Sequence, residues 1–383
     1  MNNIVIKPVE KIDKHGKLIM KWRNDTVTRE MYYNSEVKEW DTFKEVFYNK
    51  YFSNYIQPLF AYYNDNPIAF VGCVSNSESD IETSKKTCKI SINISPENRG
   101  YGLGKIILNN VIEYIKRNNG LTKKIIAEIK PHNILSYKLF QSCGFEYKFK
   151  KKWNNIDMLV YEYYIKHVLI LAAHPDDETL GCGGTIKRLS KNKNTYIKLL
   201  TFTDGKSSRD FDTSDRISIL SSVIKYLGVD EYNIGNFPDN QMDTVSLLSV
   251  VKFIEKNVNF IPDIIFTHYR NCNNIDHQTV YKATIVAFRP WIQSPGELIK
   301  ILSYYIPSST DYNPFNMFHG NVYYDIASTI KDKLSCLKNY YSEEMRTYPH
   351  TRSYENIENL SKVWGSEVGL NYAEKFELVR EII

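Results

Sequence analysis

The spacing of apolar positions divides the chain near residue 165. Before it, short alternating runs stand between helical stretches. IVIKPV predicts a strand, IMKWRN and WDTFKEVFYNKYF helical pieces, and LFAYYNDNPIAFVGCV two strands around the turn residues Asn64-Asp65-Asn66-Pro67. KTCKISINI predicts a strand, GKIILNNVIEYIKRNN a helix with apolar residues at helical spacing, and KKIIAEIK a further strand. SYKLFQSC reads as a short helix and FEYKFKKKWNNIDMLVYEYYI as a closing hairpin turning at Asn154-Asn155.

Beyond the boundary the rhythm changes. HVLILAAH is apolar almost throughout, like strands buried on both faces of a parallel sheet. The helix TIKRLSKN, the strand YIKLLTFT, the helices SDRISILSSVIKYLG and LLSVVKFIEKNV, and the strand PDIIFTH follow. Strands alternating with helices predict a doubly wound, mostly parallel sheet. The expectation is two α/β domains, 1–165 and 166–383, with almost no linker.

Composition adds limits. An apolar fraction of 43% and 29 tyrosines favour packed cores over disorder. The net charge of +5 suits an anionic small molecule, but no basic run resembles a nucleic-acid stripe. Six scattered cysteines without a CxxC pair read as reduced thiols in a cytosolic protein, not as disulfides or a zinc–sulfur site. The N-terminus lacks the apolar core of a signal peptide, and no apolar run reaches membrane-spanning length. A soluble, cytoplasmic protein with small-molecule partners is expected, and assembly into a homo-oligomer is left open.

The stretch LILAAHPDDETLGCGG (169–184) carries candidate chemistry. A buried strand ends in His174, Pro175, Asp176, Asp177 and Glu178, whose adjoining carboxylates repel one another and favour water. That pattern points to a cation. Ligands of open parallel sheets bind outside the carboxyl ends of the strands. After PDIIFTH, the run YRNCNNIDHQTVY places Asp276 and His277 at a second such end. One His and one Asp from the first loop, with one His from the second, make a three-ligand zinc site with an open position. Zinc lowers the pKa of a water there to roughly 7. A spare carboxylate nearby can act as general base.

HPDDE after an apolar strand, with a later DH, resembles the PIG-L/LmbE family of zinc-dependent N-deacetylases of amino-sugar derivatives. The resemblance runs from about residue 167 to the C-terminus, through TDGKSSR (203–209), FPDNQMDT (237–244), NIDHQTVYKATIVAFRP (274–290) and HTRSYENIENLSKVWGSEVGLNYAEKF (350–376). It implies a Rossmann-like fold, zinc on His174, Asp177 and His277, and Asp176 as the base toward water. Asp276 would orient a site group such as a histidine. Many members carry His two residues before the Asp of the DH pair; Asn274 stands there. It is expected to donate a neutral hydrogen bond to the oxyanion, a role Arg209 or His350 can share. Gly181, Gly183 and Gly184 read as allowing close helix–strand packing and Cys182 as a small core residue. Arg352 reads equally as a loop salt bridge or a substrate contact.

In ISINISPENRGYGLGKIILNNVIEYI a strand runs into Arg99-Gly100-Tyr101-Gly102-Leu103-Gly104-Lys105, which opens a helix. Glycines there let backbone N–H groups approach a phosphate, and the helix N-terminus adds a favourable dipole. The order R-x-x-G-x-G resembles the pyrophosphate loop of the GNAT acetyltransferases, which bind acetyl-CoA. Asn133, Ser136, Gly144 and Phe145 in NILSYKLFQSCGF match that family's N-x-x-S/A…GF helix. The resemblance covers roughly residues 3–165 and implies a mixed-sheet fold with acetyl-CoA held by residues 99–105, Asn133 and Ser136. WRN (22–24) is similar to members that acetylate amino sugars or protein N-termini. The family's usual tyrosine, which protonates the leaving thiolate, is Phe140 here, and Tyr137 falls on the wrong helical face. Glu97 or a water chain is the candidate base for the amine.

A deacetylase and an acetyltransferase working on one nitrogen would only hydrolyse acetyl-CoA. Different nitrogens, different acyl groups or successive intermediates are therefore expected. The first half is similar to enzymes that acetylate nucleotide-linked 4-amino-dideoxy sugars in bacterial surface-glycan and nonulosonic-acid pathways. This implies a bifunctional enzyme remodelling N-acyl groups on such a sugar. Two alternatives stand beside it: a first half that acetylates a protein or peptide amine, or one that only binds CoA.

Overall fold

The computed structural model describes residues 4–75, 87–205, 216–290, 299–314 and 317–382. The chain divides into two compact units, Met1–Ile165 and Lys166–Ile383.

In the first unit β1 (Ile4–Pro8), β2 (Leu59–Tyr63), β3 (Asn66–Ser75), β4 (Thr87–Ile94), β5 (Lys124–Ile129), β6 (Glu146–Trp153) and β7 (Ile156–Tyr164) form one mixed sheet. Their order is β1-β2-β3-β4-β5-β7-β6. Among the described strands of this sheet only β4 and β5 run parallel, and they pair only from Thr87–Lys89 to Lys124–Ile126. The helices are α1 (Asp13–Asn24), α2 (Thr26–Met31), α3 (Trp40–Val46), α4 (Leu103–Asn118) and α5 (Ile134–Ser142). Ile19 and Trp22 of α1 and Phe43 of α3 pack on Phe60 and Phe70 of the sheet. Both hairpins turn through residues of positive φ, Asn64 (46°) with Asp65 (58°) and Asn154 (45°) with Asn155 (63°). Asn and Asp tolerate that region better than other side chains, and it matches the twist of the flanking strands.

The second unit holds β8 (Lys166–Ala172), α6 (Asp177–Ser190), β9 (Thr195–Thr201), α7 (Arg216–Leu227), β10 (Glu231–Ile234), α8 (Leu247–Asn257), β11 (Ile264–His268) and α9 (Ile275–Ala287). It continues with β12 (Lys300–Tyr304), β13 (Val322–Asp325), α10 (Ile330–Tyr340), α11 (Tyr354–Ser366) and β14 (Ala373–Glu381). The sheet order is β10-β9-β8-β11-β12-β14-β13. β10 to β12 are parallel to their neighbours, and β14 runs antiparallel to β12 and β13. The chain winds outward from β8 to β10, then restarts on the other side of β8 with β11. That reversal leaves a crevice at the carboxyl ends of β8 and β11. No described helix is long and apolar enough to cross a membrane.

The helix expected over 185–192 begins at Asp177 instead and kinks at Cys182 (φ −146°). Its glycines are set by packing, which overrides their poor helix propensity. A Cβ on Gly181 would meet Tyr304 Cδ2 at 2.4 Å, and one on Gly184 would meet Ile326 Cγ2 at 2.9 Å. At the kink Glu374 accepts from the N–H groups of Gly184 and Thr185, and the buried Lys333 donates to Leu180 O and to Glu374.

Candidate active sites

His174 and Asp176 follow β8, Asp177 opens α6, and His277 lies in the first turn of α9. His174 Nδ1, Asp177 Oδ2 and His277 Nε2 form a triangle with edges of 3.2, 3.3 and 3.3 Å. Ligands about 2.0–2.1 Å from a tetrahedral zinc stand about 3.3 Å apart, so these atoms fit one ion and leave a fourth position open. All three residues are buried, and Asp177 Oδ1 has no hydrogen-bond partner among the described residues. Burial alone would lower the pKa of His277, but Asp177 and Cys272 push it up to about 9. The cluster favours positive charge, as a metal site must.

His174 is held from behind. Its Nε2 lies 3.0 Å from Asp276 Oδ2 and 3.2 Å from Asp239 Oδ1, which leaves Nδ1 for a metal. Asp276 also accepts from the N–H groups of Asn240 (2.7 Å) and Met242 (2.9 Å). On the far side, Cys272 Sγ lies 3.1 Å from His277 Nδ1.

Asp176 has φ +124°, a strained backbone for a side-chain-bearing residue, of order 1–3 kcal/mol. Its carboxylate meets Arg352 Nη1 at 3.2 Å. Burial pushes its pKa up to about 7 against the pull of Arg352, near the optimum for a base at neutral pH. Glu178, the third acid of HPDDE, turns into the core instead. It accepts from Thr179 Oγ1 (2.7 Å), Tyr341 OH (3.0 Å) and Asp176 N (3.1 Å).

Three further sequence candidates stand differently. Asn274 caps α9: its Oδ1 accepts from Asp276 N and His277 N, and its Nδ2 donates to Asn240 Oδ1. The amide expected to face an oxyanion thus fixes the Asp276-His277 turn. His350 Nδ1 accepts from Arg352 N in a local turn, and it is Arg352 that reaches Asp176. Arg209 lies outside the described residues. The sequence reading assigned no role to Asp239 or His268. His268 ends β11, stacks on His277 with ring centres 3.9 Å apart, and accepts from Ala173 N at 2.9 Å. Its place at the end of PDIIFTH was the available signal.

In the first unit β4 and β5 part after Lys89 and Ile126, and a cavity of about 300 Å³ opens between Ile90–Ile94 and Ala127–Ile129. Facing strand edges without a ladder offer their N–H and C=O groups to a ligand. Gly100 (φ 82°) and Gly102 (φ 72°) shape the adjacent loop. A Cβ on either would meet nothing within 4 Å, so backbone conformation and not space requires glycine. Gly102 caps α4, whose first turn has no side-chain cap and no acidic residue. Its N–H groups can therefore receive an anion. Tyr101, Gly102 and Lys105 are exposed there, with Leu103 and Gly104 half-buried.

Arg99 is already committed. Nε donates to Ile94 O, Nη1 pairs with Asp25 at 2.6 Å, Nη2 donates to Thr28 Oγ1 at 2.7 Å, and its backbone N–H donates to Pro96 O, so Arg99 braces the loop rather than offering donors to a phosphate. Asn133 caps α5 by accepting from Ser136 N, and both residues line the cavity. Phe140 lines it without a hydroxyl, while Tyr137 stacks on Tyr161. Glu97 corrects the candidate base. A short turn carries it into solvent, 3.8 Å from Lys21 and away from the cavity wall. The carboxylate in that wall is Glu128, which accepts from Tyr33 OH (2.8 Å) and pairs with Lys89 and Lys151 (both 2.7 Å).

The family model described as GlcNAc-PI de-N-acetylase, PIG-L, matches residues 169–288, and that of the GNAT acetyltransferase family matches residues 19–145. An Escherichia coli (strain K12) protein described as the uncharacterized deacetylase YaiS is 32% identical over 151 residues, 38% of this chain and 76% of its own length. The chain joins a GNAT domain to a PIG-L domain. Similar solved structures include the conserved protein TT1542 of Thermus thermophilus, at 20% identity over 56% of this chain and 96% of that one, TM-score 0.45. The N,N'-diacetylchitobiose deacetylase of Pyrococcus horikoshii follows at 21%, 57% and 84%, TM-score 0.42. On the GNAT side stands yncA of Salmonella typhimurium with its cofactor acetyl-CoA, at 19%, 42% and 94%, TM-score 0.36. The candidate metal triangle falls within the PIG-L match, and the glycine loop and parted strands fall within the GNAT match.

Proposed function

We propose that this chain is a bifunctional enzyme that remodels N-acyl groups on a nucleotide-linked amino sugar of a bacterial surface-glycan or nonulosonic-acid pathway. Residues 166–383 hydrolyse an acetamide with zinc, and residues 1–165 acetylate an amine with acetyl-CoA. The observation that carries this reading is the buried triangle of His174, Asp177 and His277 with Asp176 beside it.

Zinc bound there would polarise the amide carbonyl and make hydroxide available from water at neutral pH. Asp176 takes the proton from the attacking water and returns it to the leaving amine. Arg352 fixes that carboxylate, while Asp276 and Asp239 orient His174. In the GNAT domain the amine attacks the thioester carbon, an N–C bond forms, and the C–S bond breaks. Phe140 offers no proton to the departing thiolate, which is an adequate leaving group without one.

The test is product mass. The purified chain, loaded with zinc, is incubated with UDP- and GDP-linked acetamido and amino sugars, with and without acetyl-CoA. The reading expects loss of an acetyl group without the donor and gain of one with it. Loss alone would favour a GNAT domain that only binds CoA, the reading that the hydroxyl-free Phe140 wall supports. No change in either direction would overturn the nucleotide-sugar assignment.

A further inference from the structure

A second cavity of the GNAT domain, about 350 Å³, adjoins the acetyl-CoA cleft, and Tyr32, Val74 and Ser91 line both. Val37, Phe43 and Val46 give it an apolar side. Arg23, in the last turn of α1, lines it while only 7% exposed. The guanidinium carbon lies 4.0 Å from the ring centre of Tyr32 and 5.6 Å from those of Tyr51 and Phe70. Among the described residues no carboxylate pairs with Arg23, and its Nε has no hydrogen-bond partner.

Lys38 lines the same cavity. Burial and the neighbouring Arg23 charge both hold its ammonium below the ordinary lysine range. Glu36 is the one carboxylate among the described lining residues, at the exposed rim, and it accepts from Asn34 Nδ2 at 3.1 Å.

A buried guanidinium without a counter-charge is unfavourable, and aromatic faces compensate for it only in part. A second cation lining the same cavity adds repulsion. An entering oxyanion relieves both, since arginine offers a planar fork of donors that matches carboxylate or phosphate and lysine offers a point charge. We propose that this cavity is the acceptor site of the acetyltransferase, and that its substrate is an amine bearing a phosphate or carboxylate held by Arg23 and Lys38. The proposal rests on the acetyl-CoA reading of the adjoining cleft. With the anion anchored, the amine is directed toward the thioester past Tyr32, Val74 and Ser91, which line both cavities. The nitrogen bonds to the acetyl carbon, CoA leaves as the thiolate, and the released proton passes to water.

Calorimetric titration of the full chain tests this, with coenzyme A saturating so that the glycine loop is filled. The probes are pyrophosphate and, separately, glucuronate. At least one should bind. Arg23→Met should weaken it by about tenfold or more and Lys38→Met by about threefold, with Arg23→Lys in between and coenzyme A affinity unchanged. Pyrophosphate as the tighter probe would mark a phosphate-bearing acceptor, and glucuronate a carboxylate-bearing one. Lys38 is partly exposed, so its variant decides if Arg23→Met fails to fold. Binding of neither anion, or binding indifferent to both substitutions while coenzyme A still binds, would overturn the proposal. Failure of the wild type to bind coenzyme A would overturn the donor cleft itself and the acceptor role with it.

Discussion

In the PIG-L domain the candidate chemistry rests on side chains that the fold buries together. His174, Asp176, Asp177, Asp239, Asp276 and His277 are each no more than 9% exposed. In the GNAT domain the candidate donor site rests on backbone: parted strand edges, two glycines of positive φ and a helix start without a side-chain cap in a loop open to solvent. The difference lies in how each opposes charge. A buried cluster of acids needs a cation within it, so removing one member disturbs the rest. A site made of N–H groups tolerates most side-chain changes and fails when something blocks or repels the anion.

The largest expected effect follows from that coupling. His174→Ala should remove the bound zinc, measured by elemental analysis, and take deacetylation to background while coenzyme A affinity stays as in the wild type. Asp176→Asn sharpens the division of roles, since zinc should remain stoichiometric while kcat for deacetylation falls about 10²–10⁴-fold. Asp239→Asn, one shell further out, should weaken zinc about 10–100-fold in a chelator competition. On the other side, Gly102→Glu places a carboxylate and a strained φ at the start of α4. It should weaken coenzyme A by on the order of tenfold and leave deacetylation untouched.

The smallest effect concerns stability. Burial alone would raise the pKa of Glu128, but Lys151, Lys89 and the Tyr33 hydroxyl outweigh it and hold the carboxyl below 4.5. A folded-state value below the unfolded one adds stability that is present at neutral pH and lost as pH falls through the folded value. Glu128→Gln should therefore destabilise the first domain by about 1–3 kcal/mol at pH 7, and the penalty should fade in denaturation curves below pH 4.5.

Much of this was legible in the chain. HPDDE after an apolar strand and a later DH are costly patterns without a cation, and the glycine loop opens a helix as its sequence suggests. Asp239 was not legible as a site residue, and His268 only through its place at the end of PDIIFTH, because the sheet order is what brings them to His174 and His277. Asn274 reads two ways in the sequence, because the same amide serves as oxyanion donor or helix cap, and in the fold its oxygen accepts from Asp276 N and His277 N. α6 starts early because contacts with Tyr304 and Ile326 demand the glycines that local propensity reads as a loop. The short β13 and the half-buried, charge-rich β14 gave too weak an alternation to be read as strands.

The most direct test of two independent centres uses acetyl-CoA deuterated in its acetyl group and a nucleotide-linked sugar carrying one acetamide and one amine. The wild type should lose the unlabelled acetyl from one nitrogen and gain the labelled one on the other. His174→Ala should abolish only the loss, and Gly102→Glu should slow only the gain. Labelled acetyl entering and leaving a single nitrogen, or either substitution suppressing both changes, would contradict the account.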